Sequence, residues 1–140
     1  MLAVLDTNVI ISALKSATGA SFRLISFVRA GVLWPAVTAP LVFEYDDVAS
    51  RPRLLPHLSP AEITRFLDWF VSVSSQHKVH FLWRPLLRDP KDDMVLEAAV
   101  AASADYLVTF NTTDFDGASS LGVRVVTPSQ LLGLIPSARP

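Results

Sequence analysis

Acidic and amide side chains recur in this chain where apolar runs give way to polar ones. Asp6 closes Leu2-Ala3-Val4-Leu5 and is followed by Thr7 and Asn8. Glu44 lies inside Leu41-Val42-Phe43-Glu44-Tyr45, Asp92 and Asp93 inside Asp89-Pro90-Lys91-Asp92-Asp93, and Asn111 and Asp114 just beyond Tyr106-Leu107-Val108-Thr109. Carboxylates gathered in one place repel each other and raise one another's pKa unless positive charge sits among them. Arg51 and Arg53, and the stretch holding Arg84, Arg88 and Lys91, place cations beside two of these acids. Basic residues around an acidic pocket suit a phosphodiester substrate, although the same charges also serve as ordinary solubilising loop residues.

Each acid has a plainer use. Asp6 can cap the turn that follows it, as Asp and Asn commonly do. Asp92 and Asp93 can complement a helix dipole. On a helix, Asp92 shares a face with Val95, Leu96 and Ala99, which puts it at the top of the buried stripe. Asp93 is turned about 100° away, in line with Glu97, and is expected to be the more exposed of the two. Glu44 borders the apolar arc of its helix, a position where a glutamate usually does nothing. Asn111, Thr112, Thr113 and Asp114 read equally well as turn residues. His57, His77 and His80 form no ligand cluster and read as structural or surface groups.

The elements that must position these groups are legible as strands alternating with helices. Apolar Leu2–Leu5 predicts a strand covered on both faces. Helices follow from about Val9 to Lys15 and from Phe22 to a stop at Gly31. Leu33–Val37 predicts a second strand, and Thr38-Ala39-Pro40 starts a helix through Ala49. Ser59-Pro60-Ala61-Glu62 is an N-cap, an N1 proline and a capping-box glutamate, opening a helix with Ile63, Phe66, Leu67 and Phe70 on one face. Val79–Trp83 is expected as the third strand, Asp89-Pro90 to Ser103 as a helix, and Tyr106–Thr109 and Val123–Val126 as the last strands. Pro128-Ser129 begins a final short helix. The alternation implies parallel βαβ units, a three-layer α/β/α sandwich with a central parallel sheet of four to five strands. Ligands of such sheets bind beyond the carboxyl ends of the strands, where all the acids named above fall.

The totals agree with one domain over residues 1–135 and a short tail at 136–140. The 140 residues are 51% hydrophobic and 18% charged, with a formal net charge of −1, so neither disorder nor a strong global field is expected. No cysteine is present, which excludes thiolate metal sites and a cysteine nucleophile. No apolar run is long enough for a membrane span and no basic leader is visible, so the expectation is cytoplasmic with no membrane partner. A glycine-rich phosphate loop is also missing.

Taken in order, Leu5-Asp6-Thr7-Asn8-Val9-Ile10, Phe43-Glu44-Tyr45 ahead of Ser50-Arg51-Pro52, Arg88-Asp89-Pro90-Lys91-Asp92-Asp93-Met94 with Leu96-Glu97-Ala98-Ala99, and Ala104-Asp105-Tyr106-Leu107-Val108-Thr109 resemble a PIN domain. Within that group the chain is similar to the bacterial toxins of toxin–antitoxin systems, relatives of the VapC ribonucleases, from Met1 to about Leu132. The resemblance implies an endoribonuclease dependent on Mg²⁺ or Mn²⁺. Asp6, Glu44 and Asp92 match the family's acids, with Asp93 adjacent and Asn111 at a place commonly held by Asp. Asp114 follows at an alternative acidic position. With those matches, metal ligation is expected from Asp6, Asp92, Asp93, Asn111 and Asp114; position at the strand ends adds support from Thr7, Asn8 and Thr109, and local charge adds RNA-backbone contacts from Arg51, Arg84, Arg88 and Lys91. An RNA substrate, a small antitoxin partner and a homodimer come with the family. Two rivals stand beside it. One is a fold-only interaction module, which Asn111 favours; the other is a phosphoaspartate protein of haloacid-dehalogenase or receiver type, which Asn8 and the lack of a late-strand lysine disfavour.

Overall fold

The computed structural model describes residues 1–79, 87 and 89–136 of the chain. Strands β1 (Leu2–Leu5), β2 (Trp34–Val37), β3 (Ser75–Gln76), β4 (Tyr106–Val108) and β5 (Arg124–Val126) form a parallel sheet in the order β3-β2-β1-β4-β5. β1 is central, and its Ala3, Val4 and Leu5 have no exposed surface. A strand covered on both faces needs an unbroken apolar run, which is what Leu2–Leu5 supplies. Its register pairs Leu5 with Val108. The next ladder bond runs from the Asp6 N–H to the Val108 carbonyl at 2.8 Å. Asp6 and Thr109 therefore emerge side by side at the carboxyl edge.

The helices are α1 (Thr7–Lys15), α2 (Ala20–Arg29), α3 (Ala39–Ala49), α4 (Pro60–Ser72), α5 (Pro90–Ala101) and α6 (Pro128–Leu134). α1 packs on α2 and α2 on α6, while α3 touches α4 and α5, and α5 lies against β1 and β4. The result is an α/β/α sandwich with Phe27, Tyr45, Phe70 and Phe115 among its fully buried side chains. Gly31, at φ +78°, follows α2 in the left-handed conformation that ends a helix most easily without a Cβ. The capping box of α4 is formed in both directions, Glu62 N–H to Ser59 Oγ at 3.1 Å and Ser59 N–H to Glu62 Oε1 at 3.0 Å. No helix of the described residues is long and apolar enough to cross a membrane.

Two expectations need correction. The third strand is Ser75–Gln76, which pairs with Ala36 and Val37. Val79 belongs to no strand, and residues 80–83 lie outside the described residues. Only a short turn separates α4 from the sheet edge, so polar Ser75 and Gln76 reach β2 first, and backbone pairing at an edge does not require an apolar run. The second correction concerns Asp93, which is fully buried, while Asp92 is half-buried. An exposed Asp93 would require a helix covered on one face only. α5 instead has Val95, Leu96, Ala98 and Ala99 all buried and is enclosed from several sides, so a turn of 100° from Asp92 leads inward rather than to water.

Candidate functional site

At the carboxyl edge of β1 and β4 lies a cleft of about 610 Å³. Asp6, Glu44 and Asp92 all line it, although they come from three separate elements. Thr7, Asn8, Arg51, Lys91 and Asn111 line it too. Asp114 lies outside the lining but is near enough to raise the pKa of both Asp6 and Asp92. Asp93 is not part of the lining: its Oδ1 accepts the Leu87 N–H at 3.0 Å, and its Oδ2 has no hydrogen-bond partner. Arg84 and Arg88 lie outside the described residues, as does His80. His57 bonds the Leu14 carbonyl at 2.8 Å and His77 bonds the Ser75 hydroxyl at 2.6 Å, so both serve the scaffold.

Asp6 is the best-fixed of the acids. It is the N-cap of α1, and its Oδ1 accepts the Thr7 N–H at 2.8 Å. Its Oδ2 accepts the Thr109 hydroxyl at 2.7 Å, and the Thr109 oxygen in turn accepts the Asn111 N–H at 3.0 Å. A short relay thus ties the tip of β4 to the tip of β1 through one carboxylate. Burial pushes the Asp6 carboxyl above the ordinary carboxylate range, against the lowering effect of these two hydrogen bonds, with Glu44 and Asp114 pushing further upward. Asp92 is raised to about 6, first by burial and then by the negative charges of Asp6, Asp89, Asp114 and Asp93. Glu44 is held near them because Tyr45, the next residue of α3, is buried and donates its hydroxyl to the Leu5 carbonyl at the end of β1.

The walls contain residues that motif reasoning passed over: Ile11, Ser12, Lys15, Val48, Leu54, Asp89, Val95 and Phe110. Most follow from helical periodicity. Asn8, Ile11, Ser12 and Lys15 stand at i, i+3, i+4 and i+7, one face of α1. Glu44, Val48 and Arg51 repeat the pattern on and just after α3, and Asp92 and Val95 do so on α5. Once Asn8, Glu44 and Asp92 were chosen, these neighbours were available from spacing alone. Phe110 carried no such signal.

The donors facing the cleft are carboxylate, amide and hydroxyl oxygens, with neither sulfur nor imidazole among the lining residues. Such a set suits a hard divalent cation. Asn8 Oδ1 is a buried oxygen with no hydrogen-bond partner, one more acceptor available to a cation or its water. Asp92 is raised first by burial and then by its acidic neighbours, and a cation among them would lower it again. Among the described residues, however, no three His, Asp or Glu side chains stand close enough to hold one ion between them. Mg²⁺ does not require that: it typically binds one or two carboxylates and keeps several waters. The donor chemistry of the lining suits such an ion, and Asp6, Glu44 and Asp92 are the carboxylates of that lining, with Asp89, from which it could draw one or two.

The architecture is similar to a solved structure of VapBC2 from Rickettsia felis bound to a DNA fragment from their promoter, with a TM-score of 0.61 and 16% identity over 91% of this chain and 98% of that one. At that identity the likeness speaks for the fold. No curated protein is significantly similar in sequence. A family model described as PIN domain matches residues 3–113, and the chain belongs to that family.

Proposed function

We propose that this chain is a divalent-metal-dependent endoribonuclease that hydrolyses phosphodiester bonds of single-stranded RNA. The observation that carries the reading is the meeting of Asp6, Glu44 and Asp92 in one cleft, with Asp92 raised to about 6 by burial and by its acidic neighbours. Asp6 and Asp92 would hold Mg²⁺ or Mn²⁺ directly. Glu44, Asn111 and Asp114 would reach it through water, and Asp93 is left out because it faces Leu87. When bound, the ion supplies Lewis-acid activation of a water and neutralises charge developing on the phosphate.

The protein's own residues do the rest. Thr109 and the Thr7 amide each occupy one oxygen of Asp6 and fix the plane of its carboxylate. An sp² oxygen keeps a second lone pair, so both remain available. Asp92 carries a proton below about pH 6, and cation affinity should fall there because ligands must be deprotonated. Lys15, Arg51 and Lys91 line the same cleft and offset the repulsion between acids and phosphates. Asp6→Asn or Asp92→Asn should abolish Mn²⁺-dependent cleavage of single-stranded RNA and leave the circular-dichroism spectrum unchanged. Full activity in both variants would reject the assignment.

A role as the toxin of a toxin–antitoxin pair, with a small antitoxin partner and a homodimeric state, belongs to the same reading. It is supported by the fold likeness to VapBC2. One observation favours a second reading, a PIN-fold module without catalysis: among the described residues no trio of acids is gathered tightly enough to share an ion, and Asn111 stands in the cleft wall in place of an acid. Isothermal titration with Mn²⁺ separates the two, since the module binds none.

A further inference from the structure

Phe110 is 48% exposed, although it follows a fully buried Thr109 and lies on the cleft wall. Exposing a phenylalanine forgoes part of the stabilisation its burial would bring, and among the described residues Phe110 is in no aromatic ring pair. Its position is tightly determined all the same. The residue before it donates a hydroxyl to Asp6, and the residue after it donates its N–H to Thr109. Consecutive Cα atoms are only about 3.8 Å apart, so the ring starts beside the most strongly fixed acid of the cleft. The other walls carry Lys15, Arg51 and Lys91. Among the described residues neither Lys15 nor Lys91 is held in an ion pair, and Arg51 meets only an exposed Asp47 at 3.5 Å.

An exposed aromatic face next to cations is the combination that binds single-stranded nucleic acid, with bases stacked on the ring and phosphates met by the charges. A base inside a duplex has both faces covered and cannot use such a platform. We propose that Phe110 is a stacking platform for one unpaired nucleobase of an RNA strand whose phosphates lie along Lys15, Arg51 and Lys91 in this cleft, and that it selects single-stranded over double-stranded RNA. This rests on the endoribonuclease reading and adds a subsite and a residue to it.

The test measures binding, not turnover. A fluorescently labelled single-stranded RNA decamer is titrated against the full chain carrying Asp92→Asn, with and without a change at Phe110. Phe110→Ala should weaken binding about ten-fold, within the range that one base–aromatic stack contributes, and Phe110→Trp should restore it. The same decamer, made abasic at one position at a time, should show one position where the missing base and Phe110→Ala cause losses that do not add. An unchanged affinity in Phe110→Ala overturns the proposal, as do additive losses at every position or an equal loss on a fully paired duplex. A Phe110→Ala variant that binds RNA normally but loses a protein partner would mark the ring as a protein contact. Melting temperature serves as the control for folding, which an exposed ring should leave unaltered. If the unsubstituted chain with Mn²⁺ neither binds nor cleaves RNA, the endoribonuclease reading falls and takes the platform with it. If cleavage depends on Asp6 and only the Phe110 response is missing, the platform alone falls.

Discussion

Asp92 and Asp93 are neighbours of the same type with opposite physical situations, and substitution should separate them by sign. Asp93→Ala strands a buried Leu87 N–H that now donates at 3.0 Å, which costs about 1–3 kcal/mol. Asp92→Asn removes a charge crowded by Asp6, Asp89 and Asp114. The folded chain holds the Asp92 proton more tightly than the unfolded one, with a pKa raised from 3.8 to about 6. Its contribution to stability therefore declines as pH rises across that interval, and the penalty is complete above it. In metal-free buffer Asp92→Asn should raise the melting temperature by roughly 1–3 °C at pH 7, a modest figure because the half-open position is partly screened, and by almost nothing at pH 4. Thermal melts of both variants at the two pH values check this, and a stabilising Asp93→Ala or a destabilising Asp92→Asn would contradict it. Asp6 stood out because it ends an apolar strand and Asp92 because it heads the buried stripe of its helix, whereas Glu44 had only the resemblance to single it out. The exposure of Asp93 was not legible, since helical phase shows which residues share a face but not how many faces are covered.

At the level of elements, two helices bring the acids to β1 by different means. α1 begins at Asp6 itself, so Asp6, Asn8 and Lys15 are fixed to the strand tip by chain continuity. α3 has no such connection, and Glu44 depends on Tyr45, whose hydroxyl reaches the Leu5 carbonyl and whose ring meets Phe70 edge-on at 6.0 Å. Burial, with Asp6 close by, keeps that phenol's pKa well above its usual value, so it remains a donor across the working pH range. Tyr45→Phe keeps the ring and removes the tether. Urea denaturation should show a loss of about 1–2 kcal/mol, from a buried acceptor left without its donor. The endoribonuclease reading adds that cleavage should need more Mn²⁺, because Glu44 is less firmly placed; an unchanged metal requirement would free Glu44 from any role at the ion. Strand and helix order could be read from period and caps, Ser59 to Glu62 above all. The location of β3 could not, because edge pairing by Ser75 and Gln76 is decided by the reach of the preceding turn and leaves no apolar signature.

Over the whole molecule, a net charge of −1 means that no long-range field draws RNA in, and attraction must come from the cleft's own cations. That makes salt dependence a count of the phosphates actually met. For a single strand, the logarithm of the binding constant falls with the logarithm of salt at about −0.7 for each phosphate neutralised. Lys15, Arg51 and Lys91 line the cleft, so contact through these alone gives a slope of roughly −2. Arg84 and Arg88, which local charge in the sequence also assigns to the RNA backbone, would steepen it to about −3.5 if both join. Binding of a labelled decamer by Asp92→Asn between 50 and 300 mM salt measures the slope, and Lys15→Ala should reduce its magnitude by about 0.7. A slope near zero would mean that RNA does not lie along these cations, and the cleft would then have to be explained without a phosphodiester in it.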